Sequence, residues 1–252
     1  MIEIFILSVI QGVAEFLPVS SSSHLILISE YLNFKDQSLS VDVSLHVGSF
    51  IAVLSYFYKD IINFYQNKIL FFRIFVSSLP IMIVGFLLVE TNYLQKIRNI
   101  EVIAWTTILF GIFLYVSDKF QLNKNINNNF GLKEALFIGI LQIFSLMPGV
   151  SRSGIAITAA RLLDFNRFDS AKISFLLSIP ILGAVSIYGI KDFLIYEYNE
   201  FTKVNLIAIF FSFVFSFITI KYFLKFIKKF SLNVFVLYRI FLGITLLILS
   251  YL

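Results

Sequence analysis

Leu17-Pro18-Val19-Ser20-Ser21-Ser22-Ser23-His24 and Met147-Pro148-Gly149-Val150-Ser151-Arg152-Ser153-Gly154 interrupt two otherwise apolar stretches of a 252-residue chain. Proline removes a backbone donor and clashes with the helical turn before it, so each stretch breaks there. The interrupted regions, 2–32 and 133–163, divide into pieces of roughly 12–16 residues, or about 18–24 Å of helix. No piece crosses a hydrocarbon core of about 30 Å. Each region is therefore a kinked single span or a re-entrant hairpin that enters and leaves on one side. Around them lie six apolar stretches of spanning length, at about 41–58, 69–89, 100–117, 173–190, 204–220 and 232–251.

The composition agrees with this reading. The chain is 59% hydrophobic, 14% charged and carries 31 Phe, whereas a soluble domain is about 45–50% apolar and about 25% charged. This is an integral membrane protein with no room for a separate soluble domain. Its net charge of +5 sits in short loops beside apolar runs, which is a topology signal and not a nucleic-acid footprint. There are no cysteines, so disulfide and thiolate chemistry are excluded. The N-terminus has Glu3 where a signal peptide would carry Lys, and it reads as retained.

Charge distribution separates the two forms of the interrupted regions. If both are re-entrant, loops 59–73, 118–133, 161–172 and 221–229 share a side and hold thirteen Lys/Arg, against five on the other side. If both cross fully, the sides hold eight and ten. The positive-inside bias favours hairpins. It also places the cluster Lys221, Lys225, Lys228 and Lys229 in the cytoplasm and both termini outside.

Pro18 and Pro148 are 130 residues apart. Moving the first three spans along by that distance lays them over the last three. The predicted fold is all-α: repeat one at about 1–117, a linker at about 118–132, and repeat two at about 133–252, together one membrane domain. Each half is a hairpin plus three transmembrane helices. Three crossings are odd, so the halves are inverted, and such folds place their sites near the midplane where broken helices meet. The Asn-rich stretch 123–129 reads as linker only.

Irregular backbone at membrane depth persists only where protein or a wet cavity covers it. A helix starting after each break would offer free N–H groups and the positive end of its dipole. Serine hydroxyls add donors, and Arg152 adds a planar cationic fork. Together they describe an anion site, and phosphate is a natural guest. Capping and helix packing explain one serine cluster alone; Arg152 between two serines, facing a second cluster with His24, tips the balance. Gln11 and Glu15 share a helix face at i, i+4. Glu15 reads as a metal ligand or general base, or as a structural partner of Arg152. His24 can move protons or attack phosphorus. His46, near Asp42, reads as structural or as a helix-packing partner, with lining the cavity as the other reading. Arg161 and Arg167 read as interfacial anchors. Arg239 snorkels or pairs within the bundle, with a phosphate contact as the other reading. Gly12, Gly48, Gly85, Gly111, Gly139 and Gly183 read as close-packing positions.

At these residues the chain resembles the undecaprenyl-diphosphatase (bacitracin-resistance protein) family. One family motif, a Glu/Gln-x-x-x-Glu pair running into Leu-Pro-x-Ser-Ser and a histidine, stands here as Gln11 to His24. The other, Pro-Gly-x-Ser-Arg-Ser-Gly-x-x-x-Thr, stands as Pro148 to Thr158. Leu45-His46-Val47-Gly48, Ser174-Phe175-Leu176-Leu177 with Pro180, and Tyr238-Arg239 extend the match over nearly the whole chain. Gln11 stands where many relatives have Glu, and Ser23 where Gly is common.

The resemblance implies a hydrolase that converts undecaprenyl diphosphate to undecaprenyl phosphate, recycling the carrier lipid of cell-wall synthesis and conferring bacitracin resistance. It implies a multi-pass protein of the bacterial inner membrane, with the catalytic pocket on the outer side. Glu15, Ser21, His24 and Arg152 are the expected catalytic residues, and Gly149, Ser151, Ser153 and Thr158 the substrate-binding ones. Glu15 and Gln11 are the expected ligands of a divalent cation, Mg2+ or Ca2+. The nucleophile is Ser21, His24 or water, with Ser21 preferred. The expected partners are the polyprenyl diphosphate and membrane lipids, and a homo-oligomer is compatible with the chain. The rival class is a transporter or flippase for a phosphate-bearing lipid or other anion, because inverted repeats with broken helices are also a transporter architecture.

Overall fold

The computed structural model describes the chain except residues 33, 35–37, 64–67, 91–96, 98, 120–122, 196–202 and 252. Much of the loops expected at 33–40, 90–101 and 191–203 lies outside the described residues. In chain order the helices are α1 (Ile2–Ala14), α2 (Ser21–Leu32), α3 (Leu39–Tyr56), α4 (Tyr58–Ile62), α5 (Lys68–Glu90), α6 (Ile100–Asp118), α7 (Ile126–Asn129), α8 (Leu132–Gln142), α9 (Arg152–Leu162), α10 (Arg167–Ile195), α11 (Lys203–Ile227) and α12 (Asn233–Tyr251). A 3-10 turn, Ile143–Leu146, follows α8, and no strand occurs among the described residues. The six helices α3, α5, α6, α10, α11 and α12 are long and apolar enough to span a membrane.

Two spans outrun their hydrophobic stretches. α10 begins at Arg167, not 173, and α11 runs on to Ile227, not 220. The polar flanks lower the hydropathy but do not stop the helix, because they find partners. Asn166 caps α10 through Asp169 N at 2.9 Å, Arg167 bonds Asp118, and Lys172 pairs with Asp60 at 2.7 Å. Ser38 and Asn99 cap α3 and α6 in the same way, each accepting a backbone N–H three residues on.

Both interrupted regions turn back on themselves. α1 packs on α2, and α8 on α9. Ile4 and Leu7 at the start of the first region share a cluster with Leu25 and Val41, with Phe34 and Val204 packed against it. The beginning and end of that region are thus on one face. Lys172 with Asp60, Arg73 on the Phe130 carbonyl at 2.6 Å and Arg167 on Asp118 bring loops 59–73, 118–133 and 161–172 to one face, so the second region does not cross either. The open ends of the two hairpins lie at opposite ends of α11, beside Val204 and Ile227.

The first arms seat on corresponding spans, α1 on α11 and α8 on α5. A Cβ at Gly12 would sit 2.6 Å from the Phe215 Cβ, and one at Gly139 would collide with the Ser77 backbone. Close approach explains both glycines. It does not explain Gly85, which faces only the tip of Leu146 at 3.4 Å.

The Asn-rich stretch is more than a linker. Asn125 caps α7, Ile126 and Phe130 are buried in the main core, and Lys124 forms a parallel bridge with Phe165. The asparagines that make the stretch look featureless supply its caps. The core itself centres on α10, where Phe175 meets Phe16 edge-to-face at 5.3 Å. Phe16 is the fully buried neighbour of Glu15, so the first break is anchored at the centre of the bundle.

Candidate active site

At each break the chain uses a conformation that L-residues rarely adopt. Ser20 has φ +75°, Ser151 φ +71° and Gly149 φ +92°. A non-glycine residue held there stores about 1–3 kcal/mol and persists only where its surroundings fix it. α6 and α12 supply that fixing. Thr106 donates to the Pro148 carbonyl at 2.5 Å, and a Cβ on Gly149 would collide with Thr106 Oγ1 and lie 2.7 Å from the Ile103 carbonyl.

Arg239 joins the two breaks. Its side chain is fully buried, and its Nη1 donates to Pro18 O at 3.3 Å. Its Nη2 donates to the Gly149 and Val150 carbonyls at 2.9 and 3.0 Å, and its Nε to Thr107 O at 3.2 Å. The Pro18, Gly149 and Val150 carbonyls lie at the breaks, where they lack intrahelical partners, and Thr107 O belongs to the unbroken α6. Arg239 therefore pairs within the bundle, as a staple for irregular backbone. Thr106, Thr107 and this role of Arg239 were not read from the sequence, although two adjacent threonines and an arginine inside apolar spans are the signal that carried them.

The chemistry-bearing side chains meet beside this staple. Glu15 caps the C-terminus of α1, and Arg152 is the first residue of α9. Arg152 Nη2 donates to Glu15 Oε1 at 2.9 Å, with both side chains nearly buried. Ser21 Oγ donates to Glu15 Oε2 at 2.5 Å, and Gln11 Nε2 to the same oxygen at 3.1 Å. Two polar atoms of the cluster, Arg152 Nη1 and Gln11 Oε1, are buried without a hydrogen-bond partner. Such orphans call for a ligand, water or ion. At the start of α9, Ser151 Oγ accepts from Gly154 N at 3.1 Å, and Ser153 donates to Leu17 O at 2.7 Å. The Ser153 hydroxyl thus ties the second tip to the first.

His24 takes other partners. Its Nδ1 lies 2.6 Å from Ser20 O. A carbonyl only accepts, so Nδ1 carries the proton and Nε2 of the neutral ring accepts from Tyr238 Oη at 2.5 Å. The two rings stack with an interplanar angle of 12°. The structure therefore brings Ser21 to Glu15 and seats His24 on Tyr238. His46 bonds the Asp42 carbonyl at 2.8 Å. Thr158 is buried in α9, about 9 Å along the axis from Arg152, and joins none of the tip hydrogen bonds.

The donor set fits a hard divalent cation. No group of three or more His, Cys, Asp or Glu side chains gathers among the described residues, so a fully protein-made cage is absent from them. Mg2+ needs no such cage; it takes one or two carboxylates and completes its shell with waters and substrate phosphates. Glu15 and the orphaned Gln11 Oε1 match that smaller requirement.

Six helices long and apolar enough to span, two hairpins meeting at their tips and a buried acid–arginine pair between them define a multi-pass membrane protein with a polar centre. The chain belongs to the bacitracin resistance protein BacA family, whose model matches residues 4–245. It is 47% identical over 251 residues to an undecaprenyl-diphosphatase of Pelagibacter ubique, covering 99% of this chain and 98% of that protein. It is 41% identical over 251 residues to one of Saccharophagus degradans, at 94% and 93% coverage. It is 38% identical over 271 residues to one of Hahella chejuensis, at 99% and 98% coverage.

Proposed function

We propose that the chain hydrolyses undecaprenyl diphosphate to undecaprenyl phosphate and inorganic phosphate, recycling the carrier lipid of cell-wall synthesis. The observation that carries this reading is the Arg152–Glu15 pair, made across two hairpins and left with an unpartnered buried Nη1. Phosphoryl transfer depends mainly on positioning and charge stabilisation, and the guanidinium has one edge engaged and one to offer.

The diphosphate enters at the hairpin tips. The first part of the prenyl chain lies in an apolar groove of about 290 Å³ lined by Val13, Leu17, Tyr222, Phe223, Phe226 and Phe235, beside the first break, and the rest lies in lipid. Arg152 Nη1 and the amides at the start of α9 hold the terminal phosphoryl group, with Ser151 and Ser153 fixing the loop that presents them. Ser21 Oγ attacks the terminal phosphorus and passes its proton to Glu15 Oε2. The anhydride P–O bond breaks and undecaprenyl phosphate leaves. Water then attacks the Ser21 phosphoester, the Oγ–P bond breaks, and Glu15 returns its proton to Ser21 Oγ as inorganic phosphate is released. His24 takes the proton of that water at Nε2 once Tyr238 gives way. Glu15 and Gln11 Oε1 would hold a divalent cation, which would supply charge neutralisation on the diphosphate.

The two halves form an inverted repeat. The hairpins opening at opposite ends of α11 and the matched seating of α1 and α8 support this relation. With the Lys/Arg-rich face in the cytoplasm, the first hairpin and both termini open outward, and so does the catalytic pocket. The same inverted arrangement supports a second reading, a transporter or flippase for a phosphate-bearing lipid. Phosphate release from undecaprenyl diphosphate by purified protein in detergent decides between them, because a micelle has no second compartment. Release by the native protein and its loss in Arg152→Ala fit the hydrolase; no release by the native protein with any divalent cation removes it.

A further inference from the structure

A cavity of about 620 Å³ opens at the basic face, walled by the ends of α6, α9 and α11 and the starts of α10 and α12. It shares no lining residue with the cluster around Glu15 and Arg152. Lys119, Arg161, Arg167 and Lys228 line it, with Asp118 as its one acid. That acid is fully engaged: Arg167 donates to Oδ1 at 2.7 Å and Oδ2 at 3.0 Å, and Leu232 N donates to Oδ2 at 2.9 Å. Asp118 cancels one positive charge, so the wall keeps three.

Two of the cations have no carboxylate partner among the described residues. Instead, Lys119 Nζ sits 4.4 Å from the centroid of Tyr115, and Lys228 Nζ 4.3 Å from that of Phe168. The rings hold both ammonium groups at the cavity by cation–π attraction without neutralising them. Asn123, Ser231 and Asn233 add neutral polar groups to the lining. Like charges gathered in one cavity repel, and an anion that bridges them relieves the repulsion. Basic pockets between transmembrane helices at the membrane surface are suited to lipid phosphate headgroups.

We propose that this cavity binds a phosphate group, carried by an anionic lipid headgroup on the basic side of the bilayer or free in solution. Lys119 and Lys228 are its adjustable contacts; Arg167, anchored by Asp118, is its fixed one. The site is separate from the hydrolytic centre, so its test does not depend on turnover.

The experiment measures binding to the purified full-length protein in detergent by thermal shift and native mass spectrometry. The probes are phosphatidylglycerol, phosphatidylcholine and inorganic phosphate. The Lys119→Gln/Lys228→Gln variant is compared with Lys133→Gln/Lys225→Gln, which removes equal charge from exposed positions outside the cavity. Each basic residue near an anionic surface contributes about fivefold in affinity. The cavity variant should therefore bind phosphatidylglycerol roughly 25-fold more weakly than native protein, while the control variant stays within about fivefold. Phosphate release should be unchanged in both. Phosphatidylglycerol binding without inorganic phosphate binding identifies a lipid site; phosphate binding that the cavity variant also loses identifies a site for the free anion. Undiminished binding of both anions in the cavity variant, or phosphatidylcholine binding as tight as phosphatidylglycerol, overturns the proposal.

Discussion

Arg152 Nη2 and Glu15 Oε1 are 2.9 Å apart although their residues are 137 positions apart in the chain. The contact exists only because two hairpins meet tip to tip, so fold and chemistry are coupled through one ion pair. Removing either partner leaves a buried charge uncompensated, which destabilises by about 3–5 kcal/mol. Arg152→Ala and Glu15→Gln should each lower phosphate release by at least about 10³-fold and lower the unfolding temperature. Arg152→Met with Glu15→Gln should recover much of the lost stability and none of the activity. Thermal unfolding in detergent beside phosphate release separates the two effects. An active double variant would mean that the pair is structural only.

Arg239 should behave oppositely, as a residue whose loss is felt in the fold. Its guanidinium satisfies four backbone carbonyls drawn from both breaks and from α6. Hydrogen bonds from charged donors contribute about 1.5–3 kcal/mol each, and not additively. Arg239→Leu should therefore destabilise by more than about 3 kcal/mol. Arg239→Lys should recover little of this, because an ammonium cannot present a planar fork. Any residual activity of Arg239→Lys should show a reduced kcat with KM nearly native, since the tips are misplaced and the diphosphate contacts remain. A native melting temperature in Arg239→Leu would contradict the staple.

Hydropathy and two prolines carried the helical architecture into the sequence, because an apolar run of spanning length has few other fates. The hairpin form was legible only through the Lys/Arg distribution, and Lys172 on Asp60 is its structural counterpart. The Gln11–Glu15 face and the serines beside Arg152 were legible as a polar cluster out of place. Their partners were not. Arg239 reads as snorkelling or paired within the bundle, but its partners were hidden because periodicity cannot tell which carbonyls a distant turn leaves unsatisfied. Tyr238 stood out only through the Tyr238-Arg239 match to the family, with no sign that it holds His24. Helix ends were misplaced at Arg167 and Ile227 for a related reason: hydropathy falls at charged residues, whereas helices continue wherever those charges are paired.

The left-handed serine offers a trade between stability and rate. Ser151 sits at φ +71° and caps α9. Replacing a capping serine by glycine loses only a few tenths of a kcal/mol, while the φ suits glycine far better. Ser151→Gly should leave stability at or slightly above native. Activity should fall by about 10²-fold if the hydroxyl fixes a loop that presents donors to the phosphoryl group. Gly149→Ala should do the reverse of the first effect, because φ +92° and the Thr106 hydroxyl both oppose a Cβ; a loss of roughly 1–3 kcal/mol is expected. The two melting curves together check the backbone reading independently of turnover.

Tyr238→Phe removes the hydroxyl that donates to His24 Nε2 but keeps the stacked ring. If Tyr238 only positions the imidazole, the variant should lose about tenfold in kcat, the equivalent of one ordinary hydrogen bond, with KM and melting temperature near native. His24→Ala should lose about 10²-fold or more, in the range of a general acid or base. Equal losses in the two variants would instead make the hydroxyl a participant in the reaction.

Gln11 gives the sharpest test of the divalent cation. Its Oε1 is buried without a partner while its Nε2 bonds Glu15, so the side chain sits where a cation shared with Glu15 would place one neutral ligand. The affinity of hard-cation sites rises with the number of charged oxygen ligands. Gln11→Glu should therefore lower the Mg2+ or Ca2+ concentration needed for half-maximal phosphate release by at least about tenfold, and Gln11→Leu should raise it. In the absence of any divalent cation, Gln11→Glu should melt at a lower temperature than the native protein, because a second carboxylate is then buried beside Glu15 with only Arg152 to balance both. Addition of the cation should close that gap. Melting temperature under chelation thus reads the site without relying on catalysis. A Gln11→Glu protein indifferent to the cation in both measurements would place the metal, if one acts, away from this helix face.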